Sequence, residues 1–321
     1  MNESNPSATA LVVALIRATH TRTAPRRLID DPWGDQLVPE QAVTAIRQSM
    51  LPGSGIAATY TQADIDALLR ASPAYANVVL RTRYTEDALA AAILRGVTQY
   101  VLIGAGFDSY ALRTPAEAEH LRIFEIDHPA TQTLKTRRLD DCGIAVHERV
   151  QFLPADLSQQ ALGTVLADSS FDPGELTFFS LLGVTMYLSP ADNRATMREI
   201  AKCAAPGSEL VFTYIDQAIF SAGSGPAPQA FTSIQETVAS VGEPFIGGFD
   251  PATLPRNLEK AGLLLEEDLT DPELIARYDP ADVNGLISAP QSRRMKIQLQ
   301  LLSKRVSRKL RTKRFRKVMR L

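Results

Sequence analysis

The stretch that most constrains this chain is Tyr100–Arg113, YVLIGAGFDSYALR. Tyr100 to Ile103 is a short apolar run with aromatic and β-branched residues, the pattern of a buried strand. Gly104-Ala105-Gly106 follows at once, and glycines there let backbone approach a ligand that a Cβ would hold off. A helical pattern is expected to resume a few residues later. Strand, glycine turn and helix open the nucleotide site of many doubly wound α/β sheets, whose ligands lie at the carboxyl ends of the strands. An adenosine-containing cofactor is therefore expected over this turn. Position 109, where a dinucleotide fingerprint has its third glycine, is Ser109, so a dinucleotide is disfavoured. An ordinary strand-to-helix turn with no ligand is the plain alternative.

The rest of the chain repeats the alternation. Leu121–Asp127 reads as a second strand, Val150–Leu153 as a third, Leu176–Leu182 as a fourth and Glu209–Tyr214 as a fifth, with helical stretches between. Such a series implies right-handed βαβ units and a mainly parallel sheet. Upstream, Ala8–Thr19, Gln41–Gln48, Asp64–Arg70 and Tyr75–Arg95 read as helices. Downstream, Ala222–Pro228 reads as a loop, Thr253–Ala261 as a helix and the residues from Leu263 as a terminal strand. The apolar stretch Ala10–Ile16 has neither the basic flank nor the cleavage site of a signal peptide and reads as one helix face.

Three carboxylates sit at strand ends. Glu125 and Asp127 are two apart and share a strand face. Asp127 is nearer the carboxyl edge, about 20 residues past the glycine turn, where a carboxylate accepts hydrogen bonds from ribose hydroxyls. Its alternative role is to cap the helix starting near Ala130. Asp156, after strand three, is placed for an adenine amino group, or for capping through the Asp156-x-Ser158 spacing. Arg81 and Arg83 precede the turn, and at least one of them reads as surface charge.

Composition limits the rest. Two cysteines, Cys142 and Cys203, supply neither a disulfide framework nor a metal-ligand cluster, which fits a reducing cytoplasm. No run of about 18 apolar residues exists to span a membrane. The net charge of −2 hides an asymmetry: Gln291–Leu321 holds 13 of the 34 Lys and Arg residues and none of the 36 acidic ones. In that tail Met295, Leu299, Leu302, Val306 and Leu310 recur at helical steps, an amphipathic stripe suited to an anionic membrane, nucleic acid or the acidic body of the protein. A solvated extension is the alternative.

RTRYTEDAL (Arg81–Leu89), VLIGAGFDSYALR (Val101–Arg113), FEIDHP (Phe124–Pro129), PADLS (Pro154–Ser158) and GVTMYL (Gly183–Leu188) stand in this order. Together they resemble the leucine carboxyl methyltransferase family, in its bacterial, actinobacterial-type branch, from about Ala8 to about Tyr278. The resemblance implies a class I methyltransferase fold: a Rossmann-like, seven-stranded, mainly parallel sheet with helices on both faces. It implies a helical cap in residues 1–75, an S-adenosylmethionine-binding core in 76–280 and a basic extension in 281–321. It implies that Arg83 holds the methionine carboxylate, that Gly104, Ala105 and Gly106 form the cofactor turn, that Asp127 takes the ribose, and that Asp156 and Leu157 flank adenine. Many family members carry Glu just before the GVTMYL-like motif; here that residue is Leu182.

The implied reaction is methyl transfer to a carboxylate or hydroxyl of a small molecule. Methyl transfer from a sulfonium is an in-line displacement that depends on alignment and exclusion of water. A carboxylate is already ionised at neutral pH and needs no base, whereas a phenol, near pKa 10, benefits from one. His20, His120, His128 and His147 are candidates that no spacing singles out, and Tyr187 either faces the acceptor or packs in the core. The rival functions are a nicotinamide-dependent oxidoreductase and a cofactor-binding relative without turnover.

Overall fold

A computed structural model describes residues 6–50, 61–221, 226–287 and 294–301. Five parallel strands form its centre: β1 (Gln99–Ile103), β2 (Arg122–Asp127), β3 (Val150–Pro154), β4 (Thr177–Leu181) and β5 (Glu209–Ile215). β6 (Leu263–Leu269) and β7 (Arg294–Leu301) extend the sheet, with β7 running antiparallel between β5 and β6. The strand order is β3-β2-β1-β4-β5-β7-β6. Chain direction across the sheet therefore reverses between β1 and β4, and the crevice at their carboxyl ends is where such sheets take ligands.

Before the sheet come α1 (Ala8–Thr23), α2 (Gly34–Leu37), α3 (Glu40–Met50), α4 (Gln62–Ala71) and α5 (Tyr75–Leu94). After β2 come α6 (Pro129–Asp141), α7 (Leu162–Ala167), α8 (Pro190–Cys203), α9 (Pro226–Ser240), α10 (Leu254–Lys260) and α11 (Asp271–Tyr278). Alternation along each strand sorts side chains to two cores, because successive residues point to opposite faces. Tyr100, Leu102, Ile123 and Phe178 join the core with α1, α4 and α5. Val101, Ile103, Phe124 and Phe179 join the core with α7, α8 and α10. β1, β4 and β5 are buried along their whole length, as parallel strands covered on both faces must be. Each fully buried Phe or Ile contributes about 1.5–3 kcal/mol.

Three expectations need correction. First, no α-helix follows the glycine turn: Gly104 to Leu121 holds only two 3-10 turns, Tyr110–Leu112 and Ala116–Ala118. The helical spacing there is broken by Pro115, which disfavours the helical conformation of the residue before it. Secondly, Pro226–Pro228, placed in a loop, begin α9; proline is tolerated in a first turn, where amides lack intrahelical partners anyway. Thirdly, Met295 and Leu299, placed on a helical stripe, lie in β7. The sequence RMKIQLQL alternates apolar and polar residues as well as it fits a helical step, and pairing with both β5 and β6 decides for the strand. Leu302, Val306 and Leu310 lie outside the described residues.

Candidate functional site

Gly104 and Gly106 leave β1 with φ of +72° and +52°, a region that side-chain-bearing residues rarely adopt. A Cβ on Gly104 would lie 2.3 Å from Val184 Cγ2, so this turn and the segment after β4 are in close contact. The turn's amides are committed within the protein. Gly104 and Ala105 donate to the Ile126 carbonyl at 2.9 and 3.0 Å, and Gly106 donates to Asp127 Oδ2 at 2.5 Å. What the turn offers a ligand is close approach, not a row of amides.

Asp127 ends β2 with its carboxylate aimed at this turn. Oδ1 accepts from the His128 amide at 2.7 Å and Oδ2 from Gly106. Burial raises its pKa, and the two amide bonds oppose that rise. Each carboxylate oxygen has a second lone pair, so the group can still accept two hydroxyls. α6 is capped by His128, whose Nδ1 accepts from the Ala130 amide at 3.4 Å, so capping is not the task of Asp127. Glu125 points elsewhere: it pairs with Lys135 of α6, both side chains almost fully buried. Burial raises the Glu125 pKa while Lys135 lowers it. Lys135 Nζ also donates to the Asp108 carbonyl at 2.5 Å, tying α6 to the segment after the turn.

Asp156 follows β3 in a turn in which its Oδ1 accepts from Ser158 Oγ at 2.7 Å and from the Ser158 amide at 2.9 Å. The Ser158 hydroxyl holds its carboxyl below the usual range. Leu157 is half-buried beside it.

The two arginines divide. Arg83 lies apart from the glycine turn. It pairs with Asp87 at 3.0 Å, donates to the Leu28 carbonyl at 3.2 Å and sits over the Tyr278 ring, 5.5 Å from its centroid. Arg81 sits at the switch point. A Cβ on Gly183, just beyond β4, would be 2.8 Å from Arg81 Nη1. Of the two, Arg81 and not Arg83 is the arginine packed against the segment after β4. The missed signal is Gly183 itself, whose φ of +71° leaves the space that the guanidinium fills.

The start of α1 lies over the site. A Cβ on Gly106 would meet Ala10 Cβ at 3.0 Å, and Tyr187 Oη donates to Thr9 Oγ1 at 3.3 Å. Further along α1, Arg17 binds Asp31 at 2.6 Å and the Phe107 carbonyl at 2.6 Å. Arg113 lies 3.7 Å from the same Asp31 and pairs with Glu86 at 2.5 Å. Burial pushes the Asp31 pKa up, but Arg17 and Arg113 outweigh it and leave the pKa lowered. This buried network joins α1, the α1–α2 connection and the segment that follows the glycine turn. His20 is structural: Nδ1 is 2.9 Å from Tyr75 Oη and Nε2 accepts from the Leu28 amide at 3.0 Å.

The chain resembles known proteins in sequence and in fold. The chain is 31% identical over 296 residues to a Bacillus subtilis strain 168 protein described as "Putative S-adenosyl-L-methionine-dependent methyltransferase YktD", covering 89% of this chain and 92% of that one. A Mycolicibacterium smegmatis relative with the same description is 31% identical over 217 residues, 68% of this chain and 70% of its own. The fold superposes on a Thermobifida fusca "putative methyltransferase" with a TM-score of 0.53 at 16% identity, covering 94% and 96% of the two chains. A Streptomyces avermitilis protein of the duf574 family gives 0.53 at 16% identity, covering 80% and 95%. The sheet, the glycine turn and the sequence relatives define an S-adenosylmethionine-dependent methyltransferase. Residues 10–201 match the family model described as leucine carboxyl methyltransferase, and the chain belongs to that family.

Proposed function

We propose that this chain is an O-methyltransferase that moves the methyl group of S-adenosylmethionine to an oxygen of a small molecule in the cytoplasm. The observation that carries the reading is the convergence of Asp127, Gly104 and Arg81 on the crevice between β1 and β4. Asp127 takes the ribose hydroxyls with its remaining lone pairs. The Gly104–Gly106 turn runs under the cofactor. Asp156, with Oδ1 held by Ser158, turns Oδ2 to the adenine amino group, and Leu157 packs by the ring. Arg81, in place of Arg83, holds the methionine carboxylate. The seven strands form the complete class I sheet, and the helices before Tyr75 are the cap that shapes the acceptor site. The core extends past Tyr278 to include β7. When bound, the cofactor supplies an electrophilic methyl on a sulfonium; the protein's part is to align it and exclude water.

Calorimetry tests the reading. The protein should bind S-adenosylmethionine, and Asp127→Ala should weaken that binding at least tenfold, the loss of about 1.4 kcal/mol or more. Unchanged affinity in a folded Asp127→Ala variant would reject the assignment. A nicotinamide cofactor is disfavoured because Ser109, where a third glycine would stand, is fully buried against the network around Asp31.

A further inference from the structure

Methylation of a carboxylate requires no proton acceptor, whereas methylation of a hydroxyl requires somewhere for its proton to go. None of the four histidines stands out for that task. His20 is locked between Tyr75 and Leu28, His128 caps α6, Nδ1 of His147 accepts from the Arg149 amide at 3.2 Å, and His120 is exposed at the far end of β2. A buried carboxylate stands instead at the start of α1. Glu243, after α9, is 6% exposed. Its Oε1 accepts from the Ala8 amide at 2.8 Å, and its Oε2 accepts from the Thr9 hydroxyl. Thr9 Oγ1 in turn accepts from Tyr187 Oη at 3.3 Å and lies 3.2 Å from Ser7 Oγ. The hydroxyls are thus ordered from Tyr187 through Thr9 to a buried carboxylate.

Two contacts place this chain beside the cofactor turn. Thr9 precedes Ala10, the residue packed on Gly106. The Tyr187 amide donates to the Val184 carbonyl at 2.9 Å, and Val184 is the residue packed on Gly104. The flank of Tyr187 is aromatic: its ring is 5.5 Å from that of Phe245, which stacks on Phe231 at 6.1 Å.

Resting on the cofactor reading above, we propose that the methyl acceptor is a phenolic hydroxyl and that Tyr187, Thr9 and Glu243 carry its proton away. As the acceptor oxygen bonds to the methyl carbon, the carbon–sulfur pair returns to sulfur. The acceptor's proton passes to Tyr187 Oη, the Tyr187 proton to Thr9 Oγ1, and the Thr9 proton to the Glu243 carboxylate, which later releases it to solvent. The sulfonium's positive charge and the Glu243 negative charge disappear together, Tyr187 and Thr9 each gain and lose one proton, and net charge is conserved. The same buried carboxylate repels an anionic acceptor, so the site selects against carboxylates. The aromatic flank offers edge and face contacts to an aromatic ring.

The experiment uses the full chain with methyl-labelled S-adenosylmethionine and two matched panels, substituted phenols and the corresponding benzoates. Aryl methyl ethers are the expected products. In Thr9→Val, which keeps the Ala8–Glu243 bond, the single-turnover rate at neutral pH should fall about tenfold to a hundredfold. That deficit should close as pH approaches the phenol's own pKa, and Thr9→Ser should restore the rate. Tyr187→Phe should show the same pH-dependent deficit. Calorimetric affinity for S-adenosylmethionine should match wild type in all three variants. Methyl esters as products, no product from any phenol, or a Thr9→Val deficit constant across pH would overturn the proposal. Failure of the wild-type chain to bind the cofactor would instead overturn the reading on which it rests.

Discussion

The contact between Gly183 and Arg81 gives a sharp test of which arginine serves the cofactor. In Gly183→Ala the new Cβ would lie 2.8, 3.0 and 3.2 Å from Nη1, Nη2 and Cζ of Arg81. Contacts below about 3.4 Å force a shift, and the guanidinium, at the end of a flexible side chain, moves more easily than backbone does. Holding alanine at a φ of +71° costs a further ~1 kcal/mol of stability. The variant should therefore fold, with a small drop in melting temperature and a displaced guanidinium. An arginine–carboxylate hydrogen bond contributes ~1.5–3 kcal/mol, which corresponds to about tenfold to a hundredfold in affinity. The discriminating ligand is 5′-methylthioadenosine, which has the adenosine and sulfur of the cofactor but no carboxylate. Calorimetry should show Gly183→Ala and Arg81→Ala losing affinity for S-adenosylmethionine by that factor while binding 5′-methylthioadenosine as wild type does. Arg83→Ala should leave both affinities unchanged. Equal loss of both ligands in Gly183→Ala, or selective loss in Arg83→Ala, would refute the assignment.

Other perturbations probe the frame around the site. His20 has its pKa lowered from 6.5 to about 4, by burial and then by Arg70. The unfolded chain therefore binds a proton that the folded chain refuses, and stability falls as pH drops from 6.5 toward 4. The loss is at most about 3 kcal/mol by linkage, seen as a steeper acid decline in urea unfolding than for His20→Gln; parallel curves would contradict it. Lys135→Met strands Glu125 in the core and should cost ~3–5 kcal/mol in chemical denaturation, with part regained in Lys135→Met/Glu125→Gln; a neutral single variant would show that the pair is not buried in solution. Ending the chain after Leu301 retains β7 and should keep the melting temperature, whereas ending it after Pro290 removes the strand between β5 and β6 and should lower it by several degrees. Equal melting temperatures would argue against β7.

What the sequence reveals here is whatever is fixed by local pattern. The five parallel strands are read within one or two residues, because each is an apolar run bounded by turn residues and buried on both faces. The strand-edge position of Asp127 sets its carboxylate against the Gly106 amide, and Lys135 explains why Glu125 is turned elsewhere. Arg81 and Arg83 are a different problem. Two residues apart on α5 they point about 200° apart around the helix, so the structure must send one to the crevice and the other to Asp87 and Tyr278. Helical periodicity cannot choose, since α5 is buried on much of its circumference and has no single polar face. The choice is made by Gly183, 102 positions later in the chain, where a side chain would occupy the space taken by the Arg81 guanidinium. The same holds for Glu243, which nothing nearby marks as special until α1 folds back and sets Ala8 and Thr9 against it. Both residues gain their roles from contacts between distant segments, and both contacts run through glycine-lined or hydroxyl-lined gaps at the mouth of the sheet. The glycine turn and Asp127 stand in short local motifs, whereas the contacts of Arg81 and Glu243 depend on segments far apart in the chain.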